Sequence, residues 1–215
     1  MRSTIIFDLN GTLTDPAAIG SPWQSPDFGS AVLHWAVESA MADTLTNTYR
    51  PFSDHVAAAI TVQAKRRGLD IDHIGEATKI ATRLPAFPDA GAALERLSAD
   101  GRRLAVLTNS GAESGEKTLE AVGLERYFDL IIGVDAVEKV KPHPETYAHA
   151  LEVLDAPAGE ALLVAAHGWD VAGAKRAGLA TCWVARGEGH LMATVPQPDV
   201  CATDLLDAAR QLTSV

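Results

Sequence analysis

Five short apolar runs punctuate the chain: Thr4-Ile5-Ile6-Phe7, Arg103 to Thr108, Leu130 to Val134, Ala161 to Ala165 and Ala180 to Val184. Each is apolar on both faces, as in a parallel strand buried between two layers. Between them apolar residues recur at helical spacing. Asp89 to Asp100 brings Ala93, Leu94 and Leu97 onto one face, and Gly115 to Val122, Pro144 to Leu154 and Val171 to Ala177 behave likewise. Alternation of strand and helix demands crossover connections, and predicts an α/β fold with a doubly wound parallel sheet. In such sheets the reactive groups gather at the carboxyl ends of the strands.

The segment from Pro16 to about Leu84 breaks the alternation. It contains helical patterns and no clear strand. Ala31 to Thr48 carries Val32, Trp35, Ser39, Ala42 and Leu45 on one predicted face. Phe52 to Arg67 carries Val56, Ala59, Ile60 and Gln63, and Asp70 to Arg83 is a candidate third helix. The reading is a helical cap over residues 16–85, inserted into a core made of 1–15 and 86–215. Pro16 and Pro85-Ala86-Phe87-Pro88 mark its ends.

Length and charge narrow the partners. A chain of 215 residues, 47% hydrophobic, has a real core and room for one domain with an insertion. Its formal net charge of -10 makes it a poor partner for nucleic acid or an anionic membrane. A small anionic substrate remains compatible, because a pocket can oppose the global charge. Cys182 and Cys201 lie far apart and form neither a disulfide framework nor a zinc spacing. Buried, reduced thiols and a cytoplasmic location are expected. The N-terminal apolar run is short and broken by Asp8, so no targeting segment is read there. No stretch approaches the ~20 apolar residues of a membrane span.

Four strand ends carry polar residues. Asp8 ends the first, and Thr108 with Asn109 ends the second. Lys141-Pro142 follows the third, and Ala166-His167-Gly168-Trp169-Asp170 follows the fourth. Each has a plain structural reading: a turn cap, a helix cap, a surface lysine, a charge at a helix start. Their joint occurrence, in order, points instead to a carboxylate nucleophile with a lysine charge partner in one cleft.

The stretches FDLNGTLTD, LTNS, VKPHPETY and AAHGWDVAGAKRAGLATCWVAR, in this order, resemble the haloacid dehalogenase (HAD) superfamily. The resemblance implies a Rossmann-like HAD core with an inserted helical cap. It also implies a nucleophile at Asp8, a hydroxyl and amide pair at Thr108 and Asn109, a charge-balancing Lys141 and a final acid at Asp170. In the phosphatase branch an aspartate stands at the position of Asn10 and protonates the leaving group. An amide cannot do so. That branch also holds Mg²⁺ with an acid at the position of Ala166, which offers no ligand.

The last stretch is most similar to the type II (L-)2-haloacid dehalogenases, where halide leaves without a proton and no cofactor is needed. That resemblance implies an aspartyl ester on Asp8, hydrolysed by water that Asp170 activates and His167 helps to position. Asn10, Thr12, Thr108 and Asn109 would hold the substrate carboxylate. Members of that branch carry an arginine after a tryptophan on the first cap helix. Here Trp35 is followed by Ala36, and Val37 replaces the next polar position. Arg50 is the expected substitute, with Trp35, Tyr49 and Trp169 around the halide. A Mg²⁺-dependent phosphatase on a small phosphate ester and a non-catalytic HAD-like binding protein stay open as alternatives. A homodimer is what the resemblance suggests for assembly.

Overall fold

Thr4–Phe7 forms the central strand β1, all four residues buried, in the computed structural model, which describes residues 3–213. β1 pairs in parallel with β2 (Arg103–Thr108) on one side and β4 (Ala161–Ala165) on the other. β3 (Leu130–Gly133) flanks β2, while β5 (Ala180–Val184) and β6 (Val200–Ala202) extend the other half. The order is β3-β2-β1-β4-β5-β6, with every pairing parallel. The chain therefore winds outward from β1 in both directions, and the reversal falls at the end of β1. That is where a doubly wound sheet opens a crevice. Phe7 lies level with Val106 and Val164, so the residues after these three strands emerge together.

Helices cover both faces. α4 (Ala90–Ala99), α5 (Ala112–Ala121) and α8 (Leu205–Thr213) contribute Leu94, Leu97, Leu119 and Leu205 to one core layer. α6 (Pro144–Val153) and α7 (Gly168–Arg176) contribute Tyr147, Ala150 and Val171 to the other. The sequence reading missed β6 and α8. β6 has three residues, too few for a periodic signal.

Residues 16–81 form a 3-10 turn (Pro16–Trp23), α1 (Pro26–Leu45), α2 (Phe52–Arg66), a second 3-10 turn (Ile71–His73) and α3 (Ile74–Ala81). Where the chain leaves and re-enters the sheet region, its two strands meet. Asp15 N–H donates to Pro85 O at 2.8 Å and Phe87 N–H to Leu13 O at 2.9 Å.

The buried face of α1 differs from the expected one. Phe28, Val32, Ala36, Val37, Ala40 and Thr44 point inward, whereas Ser39 and Ala42 are exposed and Leu45 is 82% exposed. α1 bears apolar residues around much of its circumference, so its own periodicity does not select a face. Close packing against α2 selects the stripe with the small Ala36 and Ala40. The cysteines also divide. Cys182 is buried, which pushes its thiol up to about 12, whereas Cys201 is exposed rather than buried. No helix among the described residues is long and apolar enough to cross a membrane.

Candidate active site

Asp8 is the first residue beyond β1. Its N–H donates to Val164 O at 3.0 Å, which continues the ladder and fixes the carboxylate at the sheet edge. The chain then turns sharply through Gly11, whose φ of +87° suits glycine. A Cβ there would also lie 2.7 Å from His167 Nε2. The turn returns Thr12 beneath Asp8. The Thr12 hydroxyl donates to Asp8 Oδ2 at 2.7 Å and accepts from Ala166 N–H at 2.9 Å. One hydroxyl thus ties the β1 turn to the end of β4.

Lys141 is fully buried. Its ammonium donates to Asp8 Oδ1 at 2.8 Å, Asp170 Oδ2 at 2.6 Å and Leu107 O at 2.8 Å. An ammonium has three protons, and all three are used. Its backbone is held too, since Lys141 N–H donates to Asn109 Oδ1 at 2.8 Å. Asp170, in the first turn of α7, takes a further 2.6 Å hydrogen bond on Oδ1 from the Tyr147 hydroxyl. Sequence reasoning overlooked Tyr147, although its motif VKPHPETY had been singled out.

The charges divide unevenly. Burial pushes the Asp8 carboxyl up, but the field of Lys141 and His167 and the hydrogen bonds of Lys141 and Thr12 outweigh it. Asp8 is held below the usual carboxylate range. Burial and the neighbouring Asp8 leave Asp170 above that range despite Lys141 and Tyr147. Burial alone would lower the Lys141 ammonium, yet Asp170 and Asp8 carry it above its ordinary value. Two carboxylates sharing one ammonium have been pushed apart, one toward nucleophile and the other toward proton acceptor.

His167 Nε2 lies 3.0 Å from Asn10 O and 3.7 Å from Asp8 Oδ2. A carbonyl only accepts, so Nε2 carries the proton in this contact. The ring stacks on Trp169, with centroids 5.1 Å apart and planes at 10°. Trp169 in turn places its ring 5.7 Å from Lys141 Nζ.

A small inner cavity of about 10 Å³ opens beside the nucleophile position. Asp8, Asn10, Thr108, Asn109, His167 and Trp169 line it from the sheet side, and Leu33, Val37 and Phe52 close it from α1 and α2. Lys141, Asp170 and Thr12 stand behind Asp8 and touch Asp8 or its partners without lining the cavity. Of these wall residues the sequence singled out Val37, as the replacement of a polar position, but not Leu33 or Phe52 as site residues, because nothing in an apolar helix position announces a pocket.

Three candidates lie elsewhere. Arg50 is 62% exposed and pairs with Asp43 at 3.4 Å, since it sits in the exposed connection between α1 and α2. Trp35 packs under the Arg66 guanidinium, 4.6 Å from its ring centroid, on the side of α1 away from the cavity-lining Leu33 and Val37. Tyr49 is half-buried, and burial with Asp135 and Glu138 nearby raises its phenol. None of the three lines the inner cavity, and among the described residues its walls carry no arginine or lysine.

The donor set does not suit Mg²⁺, which wants near-octahedral oxygen. Each Asp8 and Asp170 oxygen already accepts a hydrogen bond from Thr12, Lys141 or Tyr147, and the position at the end of β4, where a further acid would complete the set, is the buried, apolar Ala166. Among the described residues no three His, Cys, Asp or Glu side chains converge.

The chain matches known proteins along nearly all its length. It is 31% identical over 191 residues to haloacetate dehalogenase H-2 of Moraxella sp. (strain B), covering 85% of each chain. It is 35% identical over 202 residues to pyrophosphatase PpaX of Bacillus cereus (strain G9842), covering 90% of this chain and 89% of that one. The solved L-2-haloacid dehalogenase of Xanthobacter autotrophicus with chloropropionic acid covalently bound superposes with a TM-score of 0.88. It is 25% identical, and the match covers 99% of this chain and 98% of that one. The model of the haloacid dehalogenase-like hydrolases matches residues 3–178, and with the six-stranded sheet and the strand-end carboxylates this places the chain in that hydrolase family.

Proposed function

We propose that this hydrolase cleaves the carbon–halogen bond of 2-haloacids through an ester on Asp8, without a metal. The observation that carries the reading is the state of Asp8: a carboxylate clamped by Lys141 and Thr12, facing a cavity in which the amide of Asn10 stands where a phosphatase would keep its leaving-group acid. Asn10 is an amide whose Oδ1 already accepts from the Thr14 hydroxyl at 3.1 Å. Halide departs with its electron pair and needs no proton.

In the first step an Asp8 oxygen displaces halide in line and forms the ester. Asn10, Thr108 and Asn109 orient the substrate carboxylate. In the second step water adds to the Asp8 carbonyl carbon and gives up one proton across Lys141 to Asp170, the carboxylate whose affinity for a proton is raised. The ester C–O bond then breaks, the departing alkoxide takes the proton left on the added hydroxyl, and the hydroxy acid leaves with Asp8 restored as a carboxylate. His167, with Nε2–H turned toward Asn10 O and Asp8, supplies positive field at the nucleophile, and Trp169 holds its ring. Residues 1–15 and 86–215 act as the core, and 16–85 as the cap that brings Leu33, Val37 and Phe52 over the substrate.

Halide release from L-2-chloropropionate is expected to be the same with and without EDTA. Loss of release on chelation, restored by Mg²⁺, would overturn the metal-free mechanism and favour a phosphatase-like site.

Among the described residues, the wall has no arginine or lysine for the substrate's charge. Ala36 is fully buried in the helical layer, so an arginine there would disrupt packing. Val37 is the neighbour that lines the cavity. Val37→Arg is expected to raise haloacid kcat/KM by roughly tenfold or more, the scale of a charge-assisted contact. A folded variant with unchanged kcat/KM would show that the site compensates in another way.

A further inference from the structure

The inner cavity has space for about one water, so a 2-haloacid with its reacting carbon at Asp8 must extend past its walls. A second cavity of about 810 Å³ lies against it. Leu33, Val37, His167 and Trp169 have faces on both. The outer cavity lies in the size range of pockets that enclose whole small molecules. Phe87, Met192 and Val195 add to its apolar wall, the last two from the segment between β5 and β6. That segment is seated on the start of α7, where Gly168 N–H donates to both Glu188 oxygens at 3.0 and 2.9 Å.

Its charges restrict what fits. Arg186 is neutralised by Asp89 at 2.8 Å and lies flat on Phe87 at 3.8 Å. Asp15 and Glu188 are carboxylates on the wall, Glu188 being engaged by Gly168 N–H, and His34, His167 and His190 line it as well. The outer cavity is thus mainly apolar and offers a second anion no unpaired arginine or lysine among the described residues, so it favours an uncharged chain.

We propose that the outer cavity is the substrate's tail chamber, so that the preferred substrates are 2-haloacids with an extended, uncharged apolar chain of about six carbons or more. This rests on the dehalogenase reading above. The tail would pass the Leu33–Trp169 wall while the carboxylate and the carbon bearing halogen face Asp8. Each methylene moved from water into such a wall favours binding roughly fourfold.

The test compares kcat/KM for halide release from 2-bromopropionate, 2-bromooctanoate and 2-bromooctanedioate, in the wild type and in Ser30→Trp. Ser30 is an exposed residue of α1 that lines only the outer cavity, so the bulky side chain fills the chamber without touching the nucleophile. The expected result is an octanoate preference of at least about tenfold over propionate, with the diacid about tenfold below octanoate. Ser30→Trp should abolish the preference and leave propionate unchanged. No preference for octanoate, or an equal loss on both acids in Ser30→Trp, would overturn the proposal and make the cavity an entry passage. If no bromoacid releases halide, the dehalogenase reading fails, and titration with unhalogenated octanoate and propionate decides the chamber separately. Octanoate binding at least about tenfold tighter, and lost in Ser30→Trp, upholds it; equal binding overturns it.

Discussion

Asp8→Asn is expected to lower halide release by about 10⁴-fold or more while leaving a folded protein. The loss follows from chemistry, because an amide is not a nucleophile toward sp³ carbon and the site contains no second carboxylate that faces the cavity. The fold should survive because the substitution keeps shape. The amide oxygen can still accept from Lys141, and Lys141 retains Asp170 and Leu107 O. A second measurement makes the assignment independent of mutagenesis. In a single turnover in H₂¹⁸O, the label should appear in the Asp8 carboxylate and not in the product hydroxyl, because water attacks the ester carbonyl. Label in the product, or wild-type rates in Asp8→Asn, would remove Asp8 from the role of nucleophile.

Lys141→Met should cost the protein stability as well as activity. Methionine matches the length of the side chain but leaves Asp8 and Asp170 facing each other without the ammonium, both fully or almost fully buried. Removing one partner of a buried charge cluster typically costs about 3–5 kcal/mol, which for a chain of this size is a fall in Tm of roughly 6–20 °C.

The pH dependence identifies the cause. In the wild type Asp8 is lowered, so its contribution is present above the unfolded carboxylate value and is lost as pH falls through the folded one. Lys141 is raised, so its contribution is complete below the unfolded lysine value and is lost as pH rises through the folded one. Without the ammonium, burial, the largest influence on both carboxyls, is opposed only by Thr12 and His167 at Asp8 and by Tyr147 at Asp170, and both carboxyls should rise. The variant is then least disadvantaged in acid, where they are protonated, and loses ground as pH rises. Urea midpoints at pH 4.5 and 7.5 should show the deficit shrinking toward the acid side. A deficit that does not change with pH would mean that the loss is one of packing.

The strands were legible because each is a contiguous apolar run, and the reactive residues were legible because they follow those runs directly. Thr108 is the last residue of a buried strand and Asp8, Asn109 and His167 are one or two residues beyond one, so chain connectivity alone brings them to one edge. Lys141 comes from a longer connection, and its reach into the core was inferable only together with Asp8. Asn10 and Ala166 were legible as a missing acid and a missing ligand from their identity together with the family resemblance that marks those positions.

The helical residues 16–85 obeyed different physics. α1 has apolar side chains on several faces, and the face that ends up inside depends on how closely α2 can approach. That rotation put Val37 in the cavity wall, Ala36 in the packed layer and Trp35 under Arg66. It also left Arg50 in solvent beside Asp43. Tyr147 went unrecognised because its partner, Asp170, is 23 residues away and only packing of α6 against α7 joins them. Local order along the chain thus decided which groups stand at the sheet edge, since a strand's end is one covalent step from its core. The walls around them, and the outer cavity with them, were decided by the packing of distant helices and loops, a property of no single segment.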